Sequence, residues 1–477
     1  MTDIARLSAA TRASLLAPAG YGKTELIAET VKYNPTVRSL VLTHTNAGTE
    51  AIRQRMKKLR VPTTAYAVDT IAGWSLRLAK SFPRTTNVDF SEPRGDQWDL
   101  VYSGIAALLT VKAIRKVITA SYGGVFVDEY QDCSLHQHRV ILGLSECIPT
   151  RVLGDPLQGI FNFGGQSIVS WDDDVLPNFP ALPRLTVPWR WKGTNPALEE
   201  WLAHVRQAVE NRQPINLLAA PPGAITFTQL PADPRQHANV RRQICMRSTC
   251  RLGEYLLAVL AWPNQCRQIA ALTRGKFRSP EPVECEELFS SARALDEASD
   301  GHEKARITFD FACECLTQIK TEIGDTVQRL IAGGRLRAAF YKNRLALEAF
   351  QRILDVPSVK AVREALQACL NISRVKKARA ELVEDMLEAL KECQNGGQPT
   401  VEEAAIAVRE RLRYLGRRPS RFTVSRTLLM KGQQFDHVIV LDADALDARN
   451  LYVALTRGSR TLHVLAASPI LSPGGLS

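Results

Sequence analysis

The chain has 477 residues, 45% of them apolar, which is material for two to four domains with real cores and excludes a low-complexity chain. Its 61 Lys and Arg against 49 Asp and Glu give a formal net charge of +12, which favours a polyanionic partner. The basic residues are spread through helix-compatible segments and not gathered in a tail, so a nucleic-acid surface would be a folded one. No stretch reaches membrane-spanning length and Met1 to Thr11 has no apolar core behind a basic start, so the expectation is a cytoplasmic protein with no membrane partner. The ten cysteines include no C-x-x-C pair and are expected to be small buried thiols, not a metal site.

In chain order, the first informative segment is an apolar run, Ser14 to Leu16, followed by Ala17-Pro18-Ala19-Gly20-Tyr21-Gly22-Lys23-Thr24 and then by a helix-compatible stretch, Leu26 to Val31. A strand, a glycine turn and a helix start in that order make a phosphate loop, because inward-turned N–H groups and the helix dipole favour anionic oxygens. Lys23 is expected on the β- and γ-phosphates of ATP, and Thr24 on Mg2+. The next apolar runs are Ser39 to Thr43 and Val125 to Val127. The latter ends in Asp128-Glu129-Tyr130-Gln131-Asp132, with Gln137 beyond. Adjacent carboxylates at a strand end suit nucleotide hydrolysis: Asp128 would hold Mg2+ and Glu129 would polarise the attacking water. Arg151 to Gly154 completes a set of short strands alternating with helical segments such as Thr49 to Lys58, which predicts a parallel α/β sheet covered on both faces. A second set is expected at Ala224 to Thr228, Gln268 to Thr273, Val438 to Leu441 and Leu462 to Ala466. Between about 280 and 419 the apolar spacing is helical, as in Ala338 to Leu354, Val362 to Leu370 and Ala378 to Leu390.

The phosphate loop and Asp-Glu-Tyr-Gln-Asp together resemble the UvrD/PcrA/Rep-type DNA helicases of superfamily 1A. Further segments match that family in order: Thr43-His44-Thr45-Asn46-Ala47, then Gly154-Asp155-Pro156-Leu157-Gln158 with Phe161 and Phe163, then Trp189-Arg190, Lys431-Gly432-Gln433-Gln434-Phe435-Asp436, and Tyr452 to Arg457. The resemblance implies two RecA-like domains, at 1–184 and at 185–279 plus 420–477. A small helical insertion is expected at about 75–122 of the first, and a larger one at 280–419 splits the second. It implies ATP in the cleft between them, with Ala17 to Thr24, Trp189 and Gln434 around the nucleotide. Arg190 and Arg457 would reach across to the γ-phosphate, and Gln158 would sense it. Single-stranded DNA, and junctions of single and double strands, would meet His44, Phe161 and Phe163 by base stacking and Thr45 and Asn46 by backbone contact. Translocation would run 3′ to 5′.

The sequence departs from the family pattern at several positions. Ala17 replaces the first glycine, Met1 to Ala13 contains no glutamine to read adenine, and Glu25 follows Lys-Thr where arginine is common. His44 replaces the usual Phe, Ala72 and Leu428 replace histidines, and Gln434 replaces the usual Glu. Two function classes stay open: a DNA-dependent ATPase that moves on single strands and separates duplexes, or an ATPase switch within a complex containing a nuclease subunit. The compact size is similar to UvrD-like subunits of Gabija-type antiphage systems.

Overall fold

Short segments whose side chains alternate between two apolar faces build two parallel sheets. The computed structural model describes residues 2–90, 93, 95–160, 167–281, 285–336, 341–415, 420–472 and 474, with only the backbone of 412–415. In the first sheet, β1 (Arg12–Leu16), β2 (Ser39–Thr43), β3 (Tyr66–Thr70), β4 (Gly124–Val127) and β5 (Thr150–Gly154) pair in parallel in the order β1-β5-β4-β2-β3. Leu40, Leu42, Val125 and Val127 face one core, whereas Val41, Phe126 and Leu153 face another. A period of two with both faces apolar is the pattern of a parallel sheet clad by helices on each side.

The second sheet repeats the arrangement. After a short strand, β6 (Ile215–Asn216), come β7 (Thr226–Gln229), β8 (Leu256–Val259), β9 (Phe422–Ser425), β10 (Phe435–Val440) and β11 (Gly458–Ala466). The last five pair in parallel in the order β7-β11-β10-β8-β9, and β6 pairs antiparallel with β12 (Ile470–Leu471). Leu257, Val259, Val438 and Val464 face one core, and Leu256, Ala258, Ile439 and Leu465 the other. The chain is therefore α/β, with the two covered parallel sheets of a pair of RecA-like units.

One expected strand is corrected. Gln268 to Thr273 lies at the end of the helix Pro263–Leu272, where Cys266, Ile269 and Ala270 are buried at helical spacing behind a first-turn proline. The strand of that region is β8, a four-residue apolar run that precedes the helix.

Between β8 and its neighbour β9, every described element from Glu286 to Leu415 is helical. These helices close a core of their own around Phe309, Phe350, Leu366 and Met386. The body is tied to the second sheet by charge. Arg379, 2% exposed, donates to both oxygens of Glu281 at 2.8 Å, and Arg267 of the helix Pro263–Leu272 reaches Glu281 at 3.2 Å. On the other side, the helix Val401–Leu415 lies against the helix Asn46–Lys58, which flanks the first sheet.

Candidate active site

The loop after β1 is shaped by two glycines in the left-handed region, Gly20 at φ 79° and Gly22 at φ 81°. Other residues rarely adopt that backbone. Both also lie under tryptophans: a Cβ on Gly20 would meet Trp191 Cζ3 at 2.8 Å, and one on Gly22 would meet Trp189 Cδ1 at 3.0 Å. Gly22 is the N-cap of the helix Lys23–Tyr33, and no side chain caps its first turn. The free N–H groups of that turn are left for an anion. Lys23 is buried, and its Nζ donates to the Ala17 carbonyl at 3.0 Å, bridging the loop. Ala19 N–H donates to Asp155 Oδ2 at 3.2 Å, and Tyr21 packs against both the first and second cores.

Thr24 Oγ1 donates to Asp128 Oδ2 at 3.2 Å, so the hydroxyl and carboxylate expected to share Mg2+ already face each other. Glu129, next in the chain, has φ 56°. Left-handed backbone at a non-glycine costs about 1–3 kcal/mol and clusters at functional sites. Its carboxylate accepts from Gln131 Nε2 at 2.6 Å. Burial, with Glu129 alongside, pushes the Asp128 carboxyl up. For Glu129 burial acts in the same direction, but the ammonium groups of Lys23 and Lys431 outweigh it and hold the carboxyl down. The two adjacent carboxyls are thus shifted in opposite directions. A cavity of about 50 Å³ adjoins the pair, lined by Thr24, His44, Asp128, Glu129, Asp132 and Lys431 among others. These donors fit a magnesium nucleotide: a hydroxyl, a buried carboxylate, a lysine and an uncapped helix start.

The second sheet supplies the opposite wall. Arg457 donates to Gln158 Oε1 at 2.8 Å and to the Val453 carbonyl at 3.0 Å. Arg190 donates to the Thr456 carbonyl and lies over the Trp191 ring. Burial, then the neighbouring Arg457, lowers Arg190 to about 9. Its Nε is buried without a hydrogen-bond partner among the described residues. Two crowded guanidiniums beside a sensor glutamine form a place where added negative charge is welcome. Gln158 Nε2 in turn donates to Asp155 Oδ2 at 2.8 Å.

Residues 78–170, which include β4, the carboxylate pair and Gln158, match the family profile of the UvrD/REP helicase N-terminal domain. That segment is similar to the N-terminal domain of UvrD/REP helicases. No curated protein sequence matches the chain. Among solved structures it is similar to the Pif1 helicase of Candida albicans, at 12% identity and TM-score 0.28, over 53% of this chain and 55% of that one. It is also similar to the DEAH/RHA helicase HrpB of Escherichia coli, at 14% identity and TM-score 0.31, over 56% of this chain. The matched part is 28% of HrpB, so the chain spans little more than half the length of the first relative and under a third of the second.

The remaining expected positions divide. Trp189 is 61% exposed, with its indole against Gly22 and Lys192 Nζ 4.8 Å from the ring centroid. Thr45 caps the helix Asn46–Lys58 by accepting from Gly48 N–H at 3.0 Å, with Asn46 beside it at the helix start. His44 is half-buried and lines the cavity, with Nε2 3.4 Å from Cys133 Sγ. Burial, then Lys431, lowers its pKa to about 3, so it is neutral. Gln434 has an exposed side chain, and the carbonyl of its neighbour Gln433 accepts from Arg457 at 3.3 Å. Phe161 and Phe163 lie outside the described residues. Gln137 is a helix cap, closing a capping box with Ser134.

Three residues at the site were given no role by the sequence: Lys431 and Gln131, which stand in matched segments, and Arg206, which stands in none. Lys431, buried, forms an ion pair with Asp132 at the end of the carboxylate motif and also donates to the Gln158 carbonyl. Gln131 spans the site, since its Oε1 accepts from Asp155 N–H at 2.9 Å while its Nε2 serves Glu129. Arg206 sits on the apolar stripe of the helix Pro196–Glu210, between Leu202, Val205 and Val209. A charge at a buried helical position is the one sign the sequence offers for it.

Proposed function

We propose that this chain is an ATP-dependent translocase on single-stranded DNA that moves 3′ to 5′ and separates duplexes. The observation that carries the reading is the meeting of Lys23, Thr24, Asp128 and Glu129 from one sheet with Arg190 and Arg457 from the other, with Gln158 touching both sides. The domain limits that go with it are 1–184, 185–279 plus 420–477, and the helical insertion 280–419.

Bound MgATP supplies the transferable phosphoryl group and the metal charge that neutralises its oxygens. Lys23 and the open turn of its helix bind the phosphates, and Thr24 and Asp128 hold the cation. Glu129, kept ionised by Lys23 and Lys431, orients water and takes its proton. Arg190 and Arg457 arrive from the second sheet, so transition-state charge is stabilised only when the cleft is closed. Gln158, bonded to Arg457 on one side and to Asp155 on the other, relays that state along the strand end toward the segment containing Phe161 and Phe163. Trp189 covers the base. Thr45, Asn46, Phe161 and Phe163 serve the DNA strand.

The test is the isolated chain on a partial duplex with a 3′ single-stranded tail, in MgATP. Strand displacement that disappears in Glu129→Gln supports the motor reading. DNA-stimulated hydrolysis without any displacement or movement along the strand rejects it in favour of an ATPase switch.

A further inference from the structure

Asp155 is fully buried, yet it is the acceptor for three separate parts of the molecule: the phosphate loop through Ala19 N–H, the sensor Gln158 through Nε2, and Arg206 of the helix Pro196–Glu210. Arg206 NH1 lies 2.9 and 3.0 Å from the two carboxylate oxygens and also donates to Tyr452 Oη at 2.9 Å. Tyr452 lies on the helix Ala448–Leu455, and Arg457, one residue past its cap Thr456, is tied back to that helix through the Val453 carbonyl at 3.0 Å and returns to Gln158 at 2.8 Å. The contacts close a ring across the cleft: Gln158, Asp155, Arg206, Tyr452, Arg457 and Gln158 again. A buried carboxylate without a cation is costly, and Arg206 is the guanidinium that compensates it.

We propose that Arg206 is a positioning residue for hydrolysis: by fixing Asp155 to the Tyr452 helix it sets the orientation of Gln158 and the reach of Arg457, so that nucleotide sensing and domain closure are one event. This rests on the ATPase reading above. Arg206 touches no reacting atom, so its loss should change turnover more than nucleotide binding.

The experiment compares wild type, Arg206→Lys, Tyr452→Phe and the double variant in steady-state MgATP hydrolysis with saturating single-stranded DNA, at a temperature where circular dichroism shows each folded. All three contacts come from one nitrogen, NH1, while Nε faces Glu210 Oε1 at 2.8 Å; lysine keeps the charge beside Asp155 but loses this second anchor, which holds NH1 between Asp155 and Tyr452. Each single variant should lose about tenfold in kcat with KM for ATP within about threefold. The double variant should be hardly worse than either single one, because both open the same ring. If Arg206→Lys does not fold, Tyr452→Phe, which removes one hydroxyl, decides alone. Active wild type with both variants within about twofold of its kcat overturns the inference and leaves the ATPase reading standing. Wild type that hydrolyses no ATP overturns both.

Discussion

At the residue scale, the two groups nearest the chemistry should fail differently. Lys23→Ala removes a buried ammonium from the phosphate loop and should weaken nucleotide binding along with turnover. Glu129→Gln keeps the shape and the bond to Gln131 but loses the proton acceptor, so a fluorescent ATP analogue should still bind while hydrolysis stops. Hydrolysis by Glu129→Gln within about threefold of wild type would remove Glu129 from its role. Trp189 offers a second comparison. An exposed indole over Gly22 stacks on any purine but has one donor and no acceptor for a base edge. ATP and GTP should therefore be hydrolysed at similar rates, and Trp189→Ala should raise KM for both. A strong ATP preference that survives Trp189→Ala would mean that another group reads the base. Polar readout discriminates far more strongly than stacking does.

At the scale of elements, the helical body is held to the second sheet by a buried charge cluster as well as by its ends. Arg379→Met would strand Glu281 without its bidentate partner and should cost about 3–5 kcal/mol, read as a fall in the chemical denaturation midpoint. Burial pushes the Glu281 carboxyl up, but Arg379 and Arg267 prevail and its pKa is lowered from 4.5. The unfolded chain binds that proton more readily, so the stabilisation is present above pH 4.5 and is lost as pH falls below it through the depressed value. Unfolding at pH 3 and pH 7 should show a stability difference that shrinks in Arg379→Met. None of this cluster was legible in the sequence, since Glu281, Arg379 and Arg267 are far apart in the chain and carry no motif. The strands were legible where apolar runs end in a motif, as at β1, β4 and β10. Gln268–Thr273 misled because its apolar run is as short as a strand and its helical spacing shows only with Pro263 and Cys266 included. Lys431 stood in a recognised segment, but its ion pair with Asp132 spans nearly 300 positions in the sequence, at 299, and only folding brings it there.

On the scale of the whole molecule, the two sheets meet through three polar links, Lys431 to Asp132, Arg457 to Gln158 and Arg206 to Asp155, beside an apolar contact in which Ala19, Tyr21 and Leu157 join the core of the second sheet. The net charge of +12 then acts on the other partner. Bound DNA phosphates release counterions, so stimulation by single strands should fall steeply between about 50 and 200 mM salt. The most direct test of the account is the steady-state MgATP turnover of the isolated wild-type chain with and without a single-stranded oligonucleotide at low salt. The account predicts low turnover alone, strong stimulation by the oligonucleotide, and loss of that stimulation at high salt. Turnover that is equally fast without nucleic acid, or no turnover under any of these conditions, would contradict it.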